Sequence, residues 1–306
     1  MKRIGLLLGA TVLAVACSTG GSTATVGAVA TTAAPRYTPI PTEAPSAGPS
    51  TAATATPLPL PKFDQVPVVA EDPVGLGAQL AMAEAFIRDP QATADQLAWS
   101  GHLEELALGQ LSDNPQWIDK VLAALPPNAK AAVSGSIEAG RQLRSMHGPI
   151  PKDLPDWHIV SPAPIDELLA DYHDAEAVTG VPWYYLAAIN LIETRMGRIR
   201  GDSYAGAQGP MQFIPSTWAA YGQGDVNSPH DAILAAARYL KAAGAPGDMA
   251  KAVFAYNHSQ GYTNAVLAYA EVMHADPAAY RGYYGWQVYY GTVDGVVYMP
   301  VGWKKN

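Results

Sequence analysis

Cysteine occurs once in the 306 residues, at Cys17. The chain therefore forms no internal disulfide and must be held by packing and hydrogen bonds. Basic charge is short as well. Nineteen Lys and Arg stand against 27 Asp and Glu, a formal net charge of −8, which argues against the basic face that nucleic acid requires. No run of like charge marks a polyanion site. The seven histidines form no HExxH, and His258 has no second ligand nearby in sequence, so neither a metal nor a cofactor is expected. The pair Gly75 and Gly77 follows no strand and makes no nucleotide loop. Gly201-Asp202-Ser203 is no esterase nucleophile box either, because no strand precedes it and no fitting His-Asp pair follows. Long apolar runs are scarce too. Residues 4–16 are apolar but too short to cross a bilayer comfortably.

What is present begins with that segment. Lys2 and Arg3 precede it and Cys17 closes it, so residues 1–17 read as a signal peptide. The position of Cys17 resembles a bacterial lipobox, with Ala14 where a larger aliphatic residue is usual. The resemblance implies lipidation at Cys17, a membrane held through it, and an extracytoplasmic, cell-envelope location. Residues 18–62 are dominated by Thr, Ala, Pro, Ser and Gly, with almost no charge. Such a segment buries too little surface to offset ordering entropy and reads as a disordered stalk. Its 45 or so residues reach roughly 40 Å as a coil and roughly 140 Å as extended polyproline.

Residues 63–155 read as an N-terminal helical region. Leu76, Leu80, Ala83 and Ile87 recur at helical spacing, as do Trp117, Val121 and Leu125. A third helix runs through "NAKAAVSGSIEAGRQLRSMHG" and stops near Gly148 and Pro149. No catalytic constellation occurs here. Residues 156–280 hold sharper signals. One helix carries Asp166 and Glu167 in its first turn and stops at Gly180. The next begins at Pro182 and stops at Gly197. In it Leu186, Ile189 and Glu193 share one face. Glu193 thus leaves the core in the last helical turn, where burial and the helix dipole both disfavour the charged form. Its pKa is expected to rise, as a general acid needs. The bland alternative is a surface glutamate paired with Arg195 or Arg198. A glycine-rich loop follows, then helices opened by Pro215 and by Ser228-Pro229, one ending at Tyr256-Asn257, and one more.

Three motifs in order carry a family likeness: Glu193-Thr194, then Ser203-x-Ala205-Gly206-Ala207-x-Gly209-Pro210-Met211-Gln212, then Ala255-Tyr256-Asn257. Together they resemble the lytic transglycosylases, over about residues 162–273. Two departures are Thr194, where serine is frequent, and Pro210, where leucine is frequent. The wider layout looks like an actinobacterial-type branch. The resemblance implies an all-α, lysozyme-like catalytic domain, with the N-terminal helices as a layer beside it. It implies peptidoglycan glycan strands as substrate and Glu193 as the single acid/base. No second carboxylate is needed, because the C6 hydroxyl of N-acetylmuramic acid attacks its own C1 and leaves a 1,6-anhydro end. That is a substrate-assisted departure from the two-carboxylate rule. By the same resemblance Tyr256 bonds Glu193 or the acetamido group. Gln212 and Asn257 bond N-acetyl groups, Thr194 orients Glu193 or bridges to the loop, and Met211 packs under the sugar.

Residues 281–306 form an aromatic tail. Tyr289, Tyr290 and Tyr298 flank Asp294-Gly295, a hairpin signal. Its rings are expected to pack against the domain more than to stack on sugars. Two other functions compete. A goose-type lysozyme would hydrolyse the same bond and need a second acid, for which Asp202 is the candidate. A non-catalytic, glycan-binding cell-wall lipoprotein would keep the motifs without the chemistry. The chain is expected to act as a monomer.

Overall fold

The computed structural model describes residues 61–146 and 148–305. The signal peptide, Cys17 and nearly all of the stalk lie outside the described residues. Among those described, eleven α-helices carry the chain, with two short two-stranded sheets.

The first helices start where the sequence supplies caps. In α1 (Pro73–Arg88) the Asp72 side chain accepts from the backbone N–H of Val74 and Gly75. Leu76, Leu80, Ala83 and Ile87 are all buried, as their spacing requires. Helix α2 (Ala94–Asp113) opens with a Thr93/Gln96 capping box. Sequence periodicity missed α2, although it is the longest helix. It has no polar stripe to reveal it, because Ser100, His102, Glu104 and Glu105 are buried beside Leu103 and Leu111. Residues expected to form one helix around Trp117 divide into a 3-10 turn (Pro115–Trp117) and α3 (Ile118–Leu122). Helix α4 (Pro127–Arg144) follows.

Helices α5 (Ile165–Thr179), α6 (Trp183–Thr194), α7 (Pro215–Tyr221), α8 (Pro229–Ala242), α9 (Met249–Asn257) and α10 (Gln260–Ala275) make the second half. Gly180 ends α5 in the left-handed conformation, with φ 77°. Helix α6 stops at Thr194, three residues before the glycine read as its end. The tail also differs from expectation at its start. Its first residues belong to a helix, α11 (Ala279–Gly285), because Tyr280 and Tyr283 bury one face in the core. The hairpin itself follows, β3 (Val288–Thr292) with β4 (Gly295–Met299), Thr292 opposite Gly295. In the other sheet β1 (His158–Ile159) pairs antiparallel with β2 (Ile199–Arg200).

The N-terminal helices do not sit apart from the rest. One buried apolar cluster runs from Leu76 through Leu186 and Val266 to Trp286. Helix α4 lies along α10, and α2 lies along α11. The second pairing is unusually close: a Cβ at Gly101 would sit 2.3 Å from the Gly282 carbonyl oxygen and 2.7 Å from Gly285 Cα. Tyr269, Tyr283 and Trp286 fill the seam edge to face, with centroids 5.1 to 5.8 Å apart. The tail aromatics pack inward in the same way: Tyr290 meets Trp157 edge to face at 5.4 Å, and the Tyr289 hydroxyl lies 2.6 Å from His102 Nε2.

Candidate active site

Glu193 sits in the last turn of α6 with only 6 % of its surface exposed. The Tyr262 hydroxyl, from the first turn of α10, donates to Glu193 Oε1 at 2.6 Å. Burial pushes the carboxyl up from 4.5 to about 7, and the Tyr262 bond pulls slightly the other way. Glu193 is therefore poised to hold or release a proton near neutrality. Burial, together with the neighbouring Glu193, also raises Tyr256 and Tyr262 well above the ordinary phenol value. Both phenols stay protonated.

The backbone after Glu193 is strained. Arg195 and Met196 hold φ of 54° and 59°, and Gly197 holds 83°. Each non-glycine in this region costs about 1 to 2 kcal/mol. Three bonds hold the turn: Arg195 N–H to the Leu191 carbonyl, Met196 N–H to the Asn190 carbonyl, and Gly197 N–H to Thr194 Oγ1. Neither arginine proposed as a surface partner for Glu193 plays that part in its pKa. Arg195 lies against Glu105, and Arg198 donates to the Tyr284 carbonyl at 2.8 Å.

The loop that follows α6 is built by backbone bonds. Gln208 and Phe213 pair antiparallel, with bonds of 2.9 and 2.8 Å, and enclose Gly209-Pro210-Met211-Gln212. Gly209 has φ 73°, and a Cβ there would lie 1.9 Å from the Val226 carbonyl oxygen, so only glycine fits. The Pro210 carbonyl accepts from Thr194 Oγ1 at 2.6 Å and from the Asn190 amide at 2.8 Å. The Met211 carbonyl accepts from the Tyr256 hydroxyl at 2.7 Å. The loop is thus latched to the end of α6 on one side and to the end of α9 on the other. Ser203 organises the earlier part, its Oγ accepting from Ala205 and Ala207 N–H.

These bonds sort the residues chosen from sequence. Thr194 bridges α6 to the loop and is wholly buried. Met211 is wholly buried too, which leaves its side chain no surface to offer a sugar. Tyr256 bonds Met211, and the hydroxyl on Glu193 belongs to Tyr262 instead. Tyr262 was missed because it opens a helix whose spacing reads as ordinary core, with no motif around it. Asn257 closes α9, half-buried. Gln212, at φ 51°, donates through Nε2 to the Gly209 carbonyl, while its Oε1 is buried without a hydrogen-bond partner. An amide oxygen held that way is an acceptor ready for a donor. Asp202 is exposed and lines a cavity of about 410 Å³ with Trp157, Tyr204, Tyr290 and others; Glu193 is not among its walls. The described residues contain no cluster of His, Cys, Asp and Glu fit to hold a metal ion.

A buried carboxyl near neutral pKa at a helix end, a loop bonded to that same end, and tyrosines from two later helices form one arrangement. Residues 172–276 match the family model of the transglycosylase SLT domain. No curated protein and no solved structure matches the chain. The SLT domain runs from Tyr172 in α5 to just past α10, and the fold is all-α and lysozyme-like, with a small C-terminal hairpin. It supports lytic transglycosylase action on peptidoglycan in general. All the residues of the Glu193 site fall inside it, whereas α1–α4 and α11 fall outside.

Tyr262→Phe tests the bond to Glu193 directly. Its loss removes the hydrogen bond that lowers the carboxyl pKa, so the alkaline limb of the pH–rate profile is expected to move up. The rate near pH 7 should fall by about tenfold or less, because one hydrogen bond to a charged group contributes about 1.5 to 3 kcal/mol and only part is specific to the transition state. An unmoved alkaline limb would show that Tyr262 does not touch the working carboxyl.

Proposed function

We propose that the chain is a peptidoglycan lytic transglycosylase that cuts the β-1,4 bond between N-acetylmuramic acid and N-acetylglucosamine. The observation that carries this is Glu193 itself: one carboxyl, buried, near neutral pKa, hydrogen-bonded by a tyrosine. Protonated Glu193 gives its proton to the glycosidic oxygen as the C1–O bond breaks. The C6 hydroxyl of the muramic acid then bonds to C1, and its proton returns to the Glu193 carboxylate. No water enters, and the product is a 1,6-anhydro end. Holding that hydroxyl next to C1 supplies much of the rate. Tyr256 and the Thr194–Pro210 latch support the reading by fixing the loop, and the unpartnered Gln212 Oε1 and the half-buried Asn257 amide suit the N-H and C=O of acetamido groups.

Activity is expected to fall above about pH 7, because the acid form of Glu193 is the one that starts the reaction. Mass spectrometry of digested peptidoglycan tests the reaction type. Anhydro ends support the proposal, reducing ends favour hydrolysis, and intact strands favour a binding protein. Asp202→Asn sharpens the same test. Asp202 lines a cavity apart from Glu193, so its amide should keep the rate within about threefold, far from the hundredfold typical of a lost acid or base. A loss as large as that of a Glu193 variant would make Asp202 the second acid of a hydrolase.

We also propose that the protein is a lipoprotein of the cell envelope, anchored through Cys17 and acting as a monomer. The support is the apolar segment that ends at the single cysteine, and the stalk that separates it from the folded part. Cys17→Ser is expected to move the protein from the membrane fraction to the soluble fraction, since stable anchoring takes more than one acyl chain. Retention in the membrane fraction would point to an uncleaved signal segment.

A further inference from the structure

The geometry points to Glu105, on the N-terminal helix α2, as a positioning residue for Glu193. It acts through Arg195, and the kinetic part of the argument rests on the proposed reaction.

Arg195 follows Glu193 by two residues and begins the left-handed turn that ends α6. A non-glycine holds such a turn only when its surroundings over-determine it. Its side chain provides the hold. The guanidinium donates through Nη1 to the Leu191 carbonyl at 3.2 Å, back onto α6 itself. Its Nε lies 3.4 Å from Glu105 Oε1, with the two side chains 3 % and 2 % exposed. Its carbon centre lies 5.5 Å from the Trp286 ring centroid. A buried guanidinium is strongly unfavourable away from a counter-charge, so the position of Glu105 dictates where Arg195 rests. Arg195 in turn dictates how the last turn of α6 closes.

Glu105 is fixed from its other side as well. The Gln287 backbone N–H, between α11 and the hairpin, donates to Glu105 Oε2 at 2.7 Å. One residue earlier in sequence, the Trp286 indole N–H donates to Glu104 Oε2 at 3.0 Å. Helix α2, the strand-leading segment after α11 and the end of the catalytic helix are therefore joined through one buried carboxylate. None of α2, Trp286 or Gln287 lies within the SLT match. The N-terminal helices are thus part of what aims Glu193, not a spacer beside it. No ligand contact is assigned to Glu105.

The test uses the chain from residue 18 onward, with two readouts. The first follows the Glu193 side-chain carboxyl carbon by NMR titration, assigned by its disappearance in Glu193→Gln. The wild-type midpoint is expected near 7. In Glu105→Gln it should move by about one unit or more, since a shifted α6 end changes the burial of the carboxyl. The second readout separates kcat from KM. A displaced acid should lower kcat by about tenfold to a hundredfold while KM stays within about threefold. Glu105→Asp keeps the charge and shortens the reach. It guards against a Glu105→Gln that does not fold, and it should show the same two changes at smaller size. Should the wild type cut no glycan, the proposed reaction fails, and the titration alone decides the role of Glu105. A folded variant with wild-type Glu193 titration overturns the inference. So does a loss confined to melting temperature with kcat unchanged.

Discussion

Glu193→Gln is expected to cut glycan cleavage by at least about a hundredfold while leaving the fold intact. The amide keeps the shape of the side chain and can still accept the Tyr262 hydrogen bond, but it can neither give a proton nor take one. The same substitution should raise stability at alkaline pH. The folded-state pKa of Glu193 lies above its ordinary value, so the native state binds the extra proton between 4.5 and about 7. The stability tied to that proton is full below pH 4.5 and is lost as pH rises through about 7. A shift of that size corresponds to about 3 kcal/mol. The variant carries no such loss. It should melt above the wild type at pH 8, with the gap closing towards pH 4.5, and Glu84 and Glu105, also raised to about 7, contribute equally to both proteins. Cleavage within tenfold of wild type would remove Glu193 as the acid/base, and equal melting at pH 8 would contradict the burial of its carboxyl.

Gly101→Ala should destabilise the whole folded unit, not the N-terminal helices alone. The added methyl would meet the Gly282 carbonyl oxygen at 2.3 Å and Gly285 Cα at 2.7 Å, both backbone, so no side-chain rotation relieves it. Helices α2 and α11 must separate. Overpacking of this kind costs about 3 kcal/mol or more at its upper end, against about 1 kcal/mol gained from alanine in a helix. At about 2 to 4 °C per kcal/mol for a chain of this size, the melting temperature should drop by about 5 °C or more. Because Glu105 sits one turn along α2 from Gly101, activity should fall in the same variant. A melting temperature unchanged by the methyl would mean that the α2–α11 contact is looser than the structure has it.

The helices of the second half were legible wherever the sequence carried its own start and stop signals. Ser228-Pro229 opened α8 and Gly180 closed α5 by local backbone preference, which needs no tertiary partner. The hairpin was legible with its turn one residue off, at Val293-Asp294, because Gly295 pairs with Thr292, and helical spacing placed Glu193 on the inward face of α6. Helix α2 was invisible because amphipathic pattern requires a solvent side, and most of α2 has none. Its buried glutamates read as surface charge in sequence, since only the folded chain brings Arg195, Trp286 and the Gln287 amide to meet them.

The motifs around Glu193 were likewise readable as short runs of residues, each fixed by local spacing. Which tyrosine touches Glu193 was not. Tyr256 and Tyr262 lie six residues apart on different helices, and their roles depend on the turn at His258 that redirects the chain between α9 and α10. The sequence by itself determined the helical class, the motifs of the SLT match and the inward placement of Glu193 on its helix, because periodicity, caps and motif spacing are local properties of a chain. The tertiary structure alone decided that Tyr262 bonds Glu193, that Pro210 and Met211 are held through their carbonyls, and that Glu105 lies against Arg195 in the turn that ends α6. Those contacts join residues 16 to 90 positions apart, and their existence depends on which buried polar groups must find partners once the helices have packed.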